Sequence, residues 1–286
     1  MKILVLGVSG MLGNVVFRYF SEDTQFEVFG SARRAGIKNT FPASLADRIL
    51  MCPDVDNHDS LAQLFATAKP DVVINCIGLV KQNVDASDPL LAIPLNSLLP
   101  HRLGRLCEIA NARLIHISTD CIFSGEKGNY LESDLSDATD LYGRSKYLGE
   151  VTYKHAITLR TSTIGHELYS SHGLINWFLV QQGTVKGYKK AIFSGLPTIE
   201  LAHIIRDIVV RRPELSGLYH VAAAPISKYD LLKLVADVYK KQIDIEPDEE
   251  LIIDRSLNAQ KFGEDFGYVA PGWPELIRKM FTSQSA

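Results

Sequence analysis

Short apolar runs alternate with helical segments through the first half of the chain, and this rhythm constrains the fold more than any other feature. The runs "KILVLG", "FEVFGSA", "DVVINCIG" and "ARLIHIST" are rich in β-branched residues, while residues 59–70 and 97–111 carry apolar side chains at helical spacing. Strands that alternate with helices form right-handed βαβ units. The sequence therefore predicts an α/β fold with a doubly wound parallel sheet.

A glycine-rich turn follows the first predicted strand. In "LVLGVSGMLGNVV", Gly7, Gly10 and Gly13 lie between the strand and a helical segment. Glycines at such a turn let backbone N–H groups approach a pyrophosphate, and the start of the helix favours negative charge. We therefore predict a dinucleotide site in a Rossmann-type sheet, with a purely structural turn as the alternative.

Two arginines follow the second predicted strand, at the position of the nucleotide ribose. NAD sites usually carry an acidic residue there, which accepts from the 2′-hydroxyl, whereas this chain reads "GSARRAG". The guanidinium groups of Arg33 and Arg34 match a 2′-phosphate, so the sequence favours NADP(H) over NAD(H). The alternative is a pair of solvated loop arginines.

A polar strand end and a tyrosine–lysine pair supply candidate catalytic groups. The run "LIHISTD" ends in Thr119 and Asp120, and "DLYGRSKYLGE" places Tyr142 and Lys146 four residues apart. Residues at this spacing share one face of a helix. Alone, the pair is more typical of a solvated helix surface. The order of glycine turn, strand-end hydroxyl and Tyr-Lys pair favours a catalytic role.

The chemistry of a carbonyl reduction explains these residue types. Tyr142 would donate a proton to the carbonyl oxygen, and Thr119 would hydrogen-bond the same oxygen. Lys146 would orient the nicotinamide ribose. Together with an oxidised nicotinamide, its charge would lower the pKa of the phenol from its usual value of about 10.

The segments "GVSGMLG", "HISTDCIFSG", "LYGRSKYLGE" and "LRTSTIG" together resemble the extended short-chain dehydrogenase/reductase superfamily. Within it, the chain is most similar to the dTDP-4-dehydrorhamnose reductases and related enzymes that act on nucleotide-linked 4-keto sugars. The resemblance implies that Thr119, Tyr142 and Lys146 are catalytic. It implies a cofactor site that also includes Gly7, Gly10, Met11, Leu12, Gly13, Arg33, Arg34, Asp54, Val55, Asn75, Cys76 and Ile77.

The same resemblance implies that Asp120 lies next to the reacting sugar, and we also take Lys81 and Cys121 as candidate substrate contacts because they fall near that position. Asn176 and Trp177 are further candidates: an aromatic residue there either stacks on a nucleotide base or packs in the core. Two features depart from the reductases. Residues 76–81 are not the usual alanine-rich strand end followed by an aromatic residue, and Cys121 replaces a common tyrosine. Both lie near the expected sugar. In the second half, Lys186, Lys189, Lys190 and Arg255 are either diphosphate ligands or solvated side chains.

The pattern changes after residue 160. We expect residues 1–160 to form the dinucleotide-binding domain and residues 161–286 to form mainly a smaller C-terminal substrate-binding lobe. The helical stretch from residue 198 and the apolar run "GLYHVAAA" lie in a segment, 198–224, that we expect to return to the first domain. Formation of a homodimer stays an open alternative.

Bulk properties exclude several classes of function. A formal net charge of -3 gives no basic surplus for nucleic-acid binding. No apolar run is long enough for a signal peptide or membrane span, so we expect a cytoplasmic location. We predict no metal site, because His101 and His116 have no ligand-like neighbours in the sequence. The four cysteines are scattered, which is typical of free thiols in a reducing compartment: Cys52, Cys76, Cys107 and Cys121.

Three functions fit these features. The preferred prediction is an NADPH-dependent reductase of a nucleotide-activated keto-deoxy sugar that feeds surface polysaccharide synthesis. A nucleotide-sugar epimerase or dehydratase shares the scaffold, but a dehydratase usually has a glutamate where this chain has Cys121. A non-catalytic regulatory subunit on the same scaffold often lacks the tyrosine or the lysine, and this chain has both.

Overall fold

A computed structural model describes residues 1–79 and 87–285 of the chain. Its main feature is a sheet of seven strands in which every neighbouring pair is parallel. In chain order the strands are β1 (Lys2–Leu6), β2 (Glu27–Ala32), β3 (Ile49–Met51), β4 (Val72–Asn75), β5 (Arg113–Thr119), β6 (Ala156–Thr161) and β11 (Gly217–His220). The predicted α/β class and doubly wound sheet are confirmed.

The strand order positions the site. The strands lie in the order β11-β6-β5-β4-β1-β2-β3, so the direction of winding reverses between β1 and β4. In open α/β sheets, ligands bind outside the carboxyl ends of the strands at such a switch point. The carboxyl ends of β1, β4 and β5 therefore border the predicted cofactor crevice.

Helices cover both faces of this sheet. None of the helices in the described ranges is long and apolar enough to cross a membrane. A π-helical segment, Ile93–Leu98, joins α4 to α5, and another, Ile204–Val209, follows α8. The helices are α1 (Met11–Ser21), α2 (Ala43–Ala46), α3 (His58–Ala68), α4 (Pro89–Ala92), α5 (Leu99–Ala110), α6 (Leu141–Leu148), α7 (Leu174–Val180), α8 (Thr198–His203), α9 (Lys228–Val238), α10 (Gln260–Phe266) and α11 (Trp273–Thr282).

Two apolar cores lie on opposite faces of the sheet because side chains alternate along each strand. In β1, Val5 belongs to the core that contains Phe17 of α1. The next residue, Leu6, belongs to the core that contains Leu61 of α3 and Leu103 of α5. Burial on both faces explains why the strands read as continuous apolar runs.

The chain after β6 contributes β11 to the main sheet and also forms small sheets of its own. Strand β7 (Thr163–Ile164) pairs with β10 (Leu196–Pro197), and β8 (Thr184–Tyr188) pairs with β13 (Asp244–Asp248). Strand β9 (Ala191–Phe193) lies between β12 (Ile226–Ser227) and β14 (Ile253–Asp254). Strand β11, from the second half of the chain, pairs with β6 in the main sheet. Both halves of the chain therefore contribute strands to this sheet. A domain boundary at residue 160 stays a prediction.

Candidate active site

The glycine turn after β1 forms a cradle of backbone atoms. Gly7 has a φ of 84°, which favours glycine, and its carbonyl oxygen accepts from the Gly10 amide at 3.0 Å. A Cβ at Gly13 would lie 2.8 Å from the carbonyl carbon of Gly7 and closer still to its oxygen. No side chain caps α1, which begins at Met11, with Leu12 in its first turn. The uncapped N–H groups at the start of α1 therefore fit the pyrophosphate of a dinucleotide.

The side chains expected at the adenosine end of the cofactor differ in exposure. Arg33 and Arg34 directly follow β2 and are exposed, and neither side chain has a hydrogen bond or an ion pair with the described residues. Asp54 is also exposed, whereas Val55 is buried. The Asp54 carboxylate accepts from the Asp56 amide at 2.8 Å. The two free guanidinium groups fit a phosphate at this end of the site.

The buried side-chain amide of Asn75 lies at the end of β4. Asn75 Nδ2 lies 3.1 Å from Nδ1 of His116, and Asn75 Oδ1 accepts from the Ile77 amide at 3.1 Å. Ile77 in turn borders the glycine turn, because a Cβ at Gly7 would lie 3.0 Å from its side chain. Cys76 lies between them, and burial raises its pKa to about 12. Asn75 therefore holds the strand end that faces the crevice. Lys81 lies outside the described residues.

The candidate catalytic residue Thr119 lies where β5 turns into a short 3₁₀ segment, Asp120–Ile122. Thr119 Oγ1 accepts from the Cys121 amide at 3.1 Å and donates to Asp120 Oδ1 at 3.2 Å. Asp120 is buried, which raises the pKa of its carboxyl group, while Arg255 acts in the opposite direction. The turn fixes the Thr119 hydroxyl at the carboxyl edge of the sheet.

Helix α6 presents Tyr142 to this turn. Asp140 caps the helix by accepting from the Gly143 amide at 2.8 Å. A Cβ at Gly143 would collide with the carbonyl oxygen of Cys121, so the helix can lie against the turn only because this residue is glycine. Tyr142 is half-buried, and the Thr119 hydroxyl is close enough to favour its ionised form. The structure thus brings the predicted hydroxyl pair together.

Lys146 reaches the same region from the buried side of α6. Its ammonium group donates to the carbonyl oxygen of Ile117 at 2.8 Å. Burial lowers the pKa of Lys146 to about 8, and the charge of Glu150 opposes this shift. Burial raises the pKa of Tyr142 in the protein without cofactor. The expected lowering involves an oxidised nicotinamide as well as Lys146, and it stays a prediction.

A buried polar network beside the candidate catalytic residues was not visible in the sequence. Glu150 accepts from Ser118 Oγ at 2.7 Å and from the Arg160 guanidinium at 2.7 and 2.8 Å. Arg160 also contacts His220 of β11 at 3.2 Å. These residues meet because β6 and β11 are neighbours in the sheet although they are far apart in the chain. The bond from Ser118 to Glu150 thus connects the strand "LIHIST" to the residues that follow α6.

The residues expected on the substrate side divide into two groups. Asp120 and Cys121 border the catalytic hydroxyls, and burial raises the pKa of Cys121 to about 12. Asn176 instead holds its own loop, since its amide donates to the carbonyl oxygens of Glu167 at 3.2 Å and Ser170 at 3.0 Å. The Trp177 side chain is partly exposed on α7. The structure therefore supports a substrate role for the first pair more than for Asn176.

The lysines of β8 and the following turn are paired with acidic residues. Lys186 lies 2.7 Å from Asp248, and Lys190 lies 3.0 Å from Glu249. Lys189 lies 3.9 Å from Glu249. These ion pairs favour a solvated surface over the diphosphate role that the sequence left open.

Residues 1–283 match the family described as the RmlD substrate binding domain. The chain belongs to this family. The dTDP-4-dehydrorhamnose reductase of Salmonella typhimurium is 27% identical over 263 residues, which cover 81% of this chain and 85% of the relative. Methionine adenosyltransferase 2 subunit beta of Xenopus laevis is 24% identical over 251 residues, which cover 83% and 72%. The predicted resemblance to the reductases is confirmed.

A solved structure has the same fold as this chain. The dTDP-4-dehydrorhamnose reductase of Bacillus anthracis in complex with NADP aligns with a TM-score of 0.80 at 18% identity. The alignment covers 99% of this chain and 100% of that chain. At this identity the likeness concerns the fold, so the roles of individual residues rest on the geometry above.

Proposed function

We propose that this protein is an NADPH-dependent reductase of the 4-keto group of a nucleotide-activated deoxy sugar. The observation that carries the proposal is the approach of Thr119 to Tyr142 at the carboxyl end of β5, with Lys146 of the same helix bound to that strand through Ile117. The name of the reductase relative from Salmonella typhimurium supports a dTDP-linked substrate. A product of this kind would serve surface polysaccharide synthesis.

NADPH, when bound, supplies the hydride for such a reduction. The glycine turn at Gly7 and Gly13 would hold its pyrophosphate, and Arg33 and Arg34 would pair with its 2′-phosphate. Lys146 keeps donor capacity beyond its bond to Ile117, because an ammonium group has three donors. It can therefore also bind a ribose hydroxyl.

Tyr142 is the proposed proton donor. Burial raises its pKa, so at neutral pH the phenol keeps the proton that a reduction must deliver. Tyr142 donates this proton to the sugar oxygen as negative charge develops there. The Thr119 hydroxyl, which donates to Asp120 without substrate, turns to hydrogen-bond the same oxygen.

Two other functions share parts of this site. An epimerase or dehydratase would use the same Tyr142 and Lys146, but Cys121 supplies no carboxylate at the position where a dehydratase usually has one. A non-catalytic subunit is suggested by the relative from Xenopus laevis, whose name describes a subunit of another enzyme. The complete catalytic set favours the enzyme, and product analysis separates reduction from epimerisation.

The test measures NADPH oxidation with dTDP-4-dehydrorhamnose by absorbance. Tyr142→Phe removes the proton donor, so kcat should fall by about 10² to 10⁴-fold while the Kd for NADPH stays unchanged. Tyr147→Phe is the matched control, because Tyr147 is an exposed tyrosine on the same helix. Activity of Tyr142→Phe within threefold of the wild type would contradict the proposal.

A further inference from the structure

Arg18 of α1 binds the part of the chain that follows Arg33 and Arg34. Its Nη2 donates to the carbonyl oxygen of Thr40 at 2.7 Å, and its Nε donates to Asn14 Oδ1 at 3.2 Å. Asn14 is buried, and its Nδ2 has no partner among the described residues, so this side chain serves to orient the guanidinium group. Arg18 has no carboxylate within ion-pair distance in the ranges that the structure describes. Its guanidinium group therefore joins α1 to the chain after β2.

The chain that Arg18 holds leads back to Arg34 through a short helical segment. This 3₁₀ segment, Ala35–Thr40, begins directly after Arg34. The Thr40 hydroxyl donates to the carbonyl oxygen of Ile37 at 2.7 Å, and the Ile37 amide donates to the carbonyl oxygen of Arg34 at 3.3 Å. The bond from Arg18 to Thr40 therefore fixes the far end of a segment whose near end is the backbone of Arg34.

Apolar packing holds the same 3₁₀ segment near α1. Ile37 and Phe41 belong to the core that contains Phe17, and the rings of Phe17 and Phe41 meet edge to face with centroids 5.5 Å apart. The Arg18 guanidinium group lies 4.6 Å from the centroid of the Phe41 ring. Apolar contacts are non-directional, so they do not fix the position of the segment along the helix. Among the described residues, the bond from Arg18 to Thr40 is the only hydrogen bond from the segment to another helix or strand.

The position of this segment matters for a phosphate ligand. Residues 33–46 include Arg33, Arg34 and Lys38 but no acidic residue, so this end of the cofactor site is positively charged. Exposed side chains lose conformational freedom when they bind a ligand, and a backbone that is already fixed reduces this cost. NADPH carries a 2′-phosphate at this end and NADH does not. A change in the position of Arg34 should therefore affect NADPH and leave NADH almost unchanged.

We propose that Arg18 is a positioning residue for the choice between NADPH and NADH. By holding Thr40, it fixes the backbone at Arg34, so that the guanidinium groups of Arg33 and Arg34 are placed for the 2′-phosphate. Arg18 acts through these two residues and does not touch the cofactor. This inference rests on the proposed function for the identity of the cofactor, whereas the hold on the segment rests on the contacts above.

The test is a titration of the full chain with NADPH and, separately, with NADH. Arg18→Met removes the donors and keeps an apolar stem over Phe41. The Kd for NADPH should rise about tenfold, equivalent to about 1.4 kcal/mol, while the Kd for NADH changes less than about twofold. Arg206→Met is the matched control. The Arg206 guanidinium group also binds a carbonyl oxygen of α1, that of Tyr19 at 2.8 Å, and lies 3.7 Å from the centroid of the Tyr19 ring. Since Arg206 binds α1 from the C-terminal half of the chain, its loss should leave the ratio of the two Kd values unchanged.

A combined variant separates positioning from direct contact with the phosphate. Once Arg33→Ser and Arg34→Ser are present, adding Arg18→Met should raise the Kd for NADPH by less than about twofold, because residues that act through one another are not additive. A further rise of about tenfold in that background would overturn the inference, since it would indicate direct contact. An equal rise in the Kd values for NADPH and NADH with Arg18→Met alone would also overturn it, since that is the result of a purely structural role.

Arg18→Lys serves as the test if Arg18→Met does not fold. Lysine keeps the positive charge but lacks the planar fork that spans Asn14 and Thr40, so the preference for NADPH over NADH should fall about threefold. A preference equal to that of the wild type would overturn the inference.

Failure of this inference can be told from failure of the proposed function. If the wild type reduces dTDP-4-dehydrorhamnose with a preference for NADPH and Arg18→Met keeps that preference, the positioning role is refuted and the reductase stands. If the preference depends on Arg18 but no keto sugar is reduced, the positioning role stands and the reductase is refuted. A wild type that binds NADPH and NADH equally well would overturn the positioning role.

Discussion

The buried ion pair beneath the catalytic residues gives the sharpest prediction about stability. Glu150 and Arg160 have only 7% and 3% of their side chains exposed. Glu150→Gln replaces a carboxylate oxygen with an amide group that cannot balance the guanidinium charge. Breaking a buried pair by removing one partner costs about 3–5 kcal/mol, because the remaining charge is left uncompensated.

Thermal unfolding measures this cost. The entropy of unfolding is about 2.1 cal/mol/K per residue, so for 286 residues the expected loss corresponds to a fall in Tm of about 5–8 °C. Urea unfolding should show a lower midpoint with an unchanged m-value. The exposed pair of Lys240 and Asp237, 3.7 Å apart, is the control. Asp237→Asn should cost less than about 1 kcal/mol.

A double variant tests the reasoning. Arg160→Met alone should be destabilised by a similar amount, since it leaves the Glu150 carboxylate buried without its main partner. Combining Glu150→Leu with Arg160→Met removes both charges and should recover most of the loss. The reasoning is refuted if Glu150→Gln lies within 1 kcal/mol of the wild type, or if the double variant is as unstable as the sum of its single variants.

Three further predictions concern the cofactor and the pH dependence. Gly13→Ala should raise the Kd for NADPH at least tenfold and lower Tm, because its Cβ would press on the Gly7 carbonyl; wild-type values in both assays would contradict this. Replacing Arg33 and Arg34 together with serine should weaken NADPH by about 1.5–3 kcal/mol and NADH hardly at all, and equal losses would count against the 2′-phosphate assignment. Because the pKa of Lys146 is lowered to about 8, kcat/KM should fall as pH rises through about 8, whereas a flat profile to pH 9.5 would contradict this.

The sequence was sufficient to predict the sheet and the cofactor turn, because both depend on local patterns. The apolar runs determine the strands, and the position of Gly7 directly after β1 determines the cradle. The approach of Thr119 to Tyr142 followed from the order of the motifs along a parallel sheet. In these cases, periodicity and spacing carry the necessary information.

Other features depend on contacts between distant parts of the chain. Arg160 and His220 are neighbours only because β11 lies beside β6, and sequence spacing gives no sign of that pairing. Burial is the largest influence on the pKa of Tyr142, and it depends on how the side chain packs in the fold. Burial and long-range strand pairing thus determine contacts and pKa values that the sequence motifs do not predict.

The close fit between Gly143 and the carbonyl oxygen of Cys121 has a consequence for how activity can be lost in evolution. A larger residue at position 143 would push α6 off the turn and separate the phenol from the threonine hydroxyl, while every catalytic residue remained in the sequence. A relative could thus become a pseudoenzyme through one substitution that a search for the tyrosine and lysine would not detect. Position 143 is therefore a useful marker when homologues of this chain are sorted into enzymes and scaffolds.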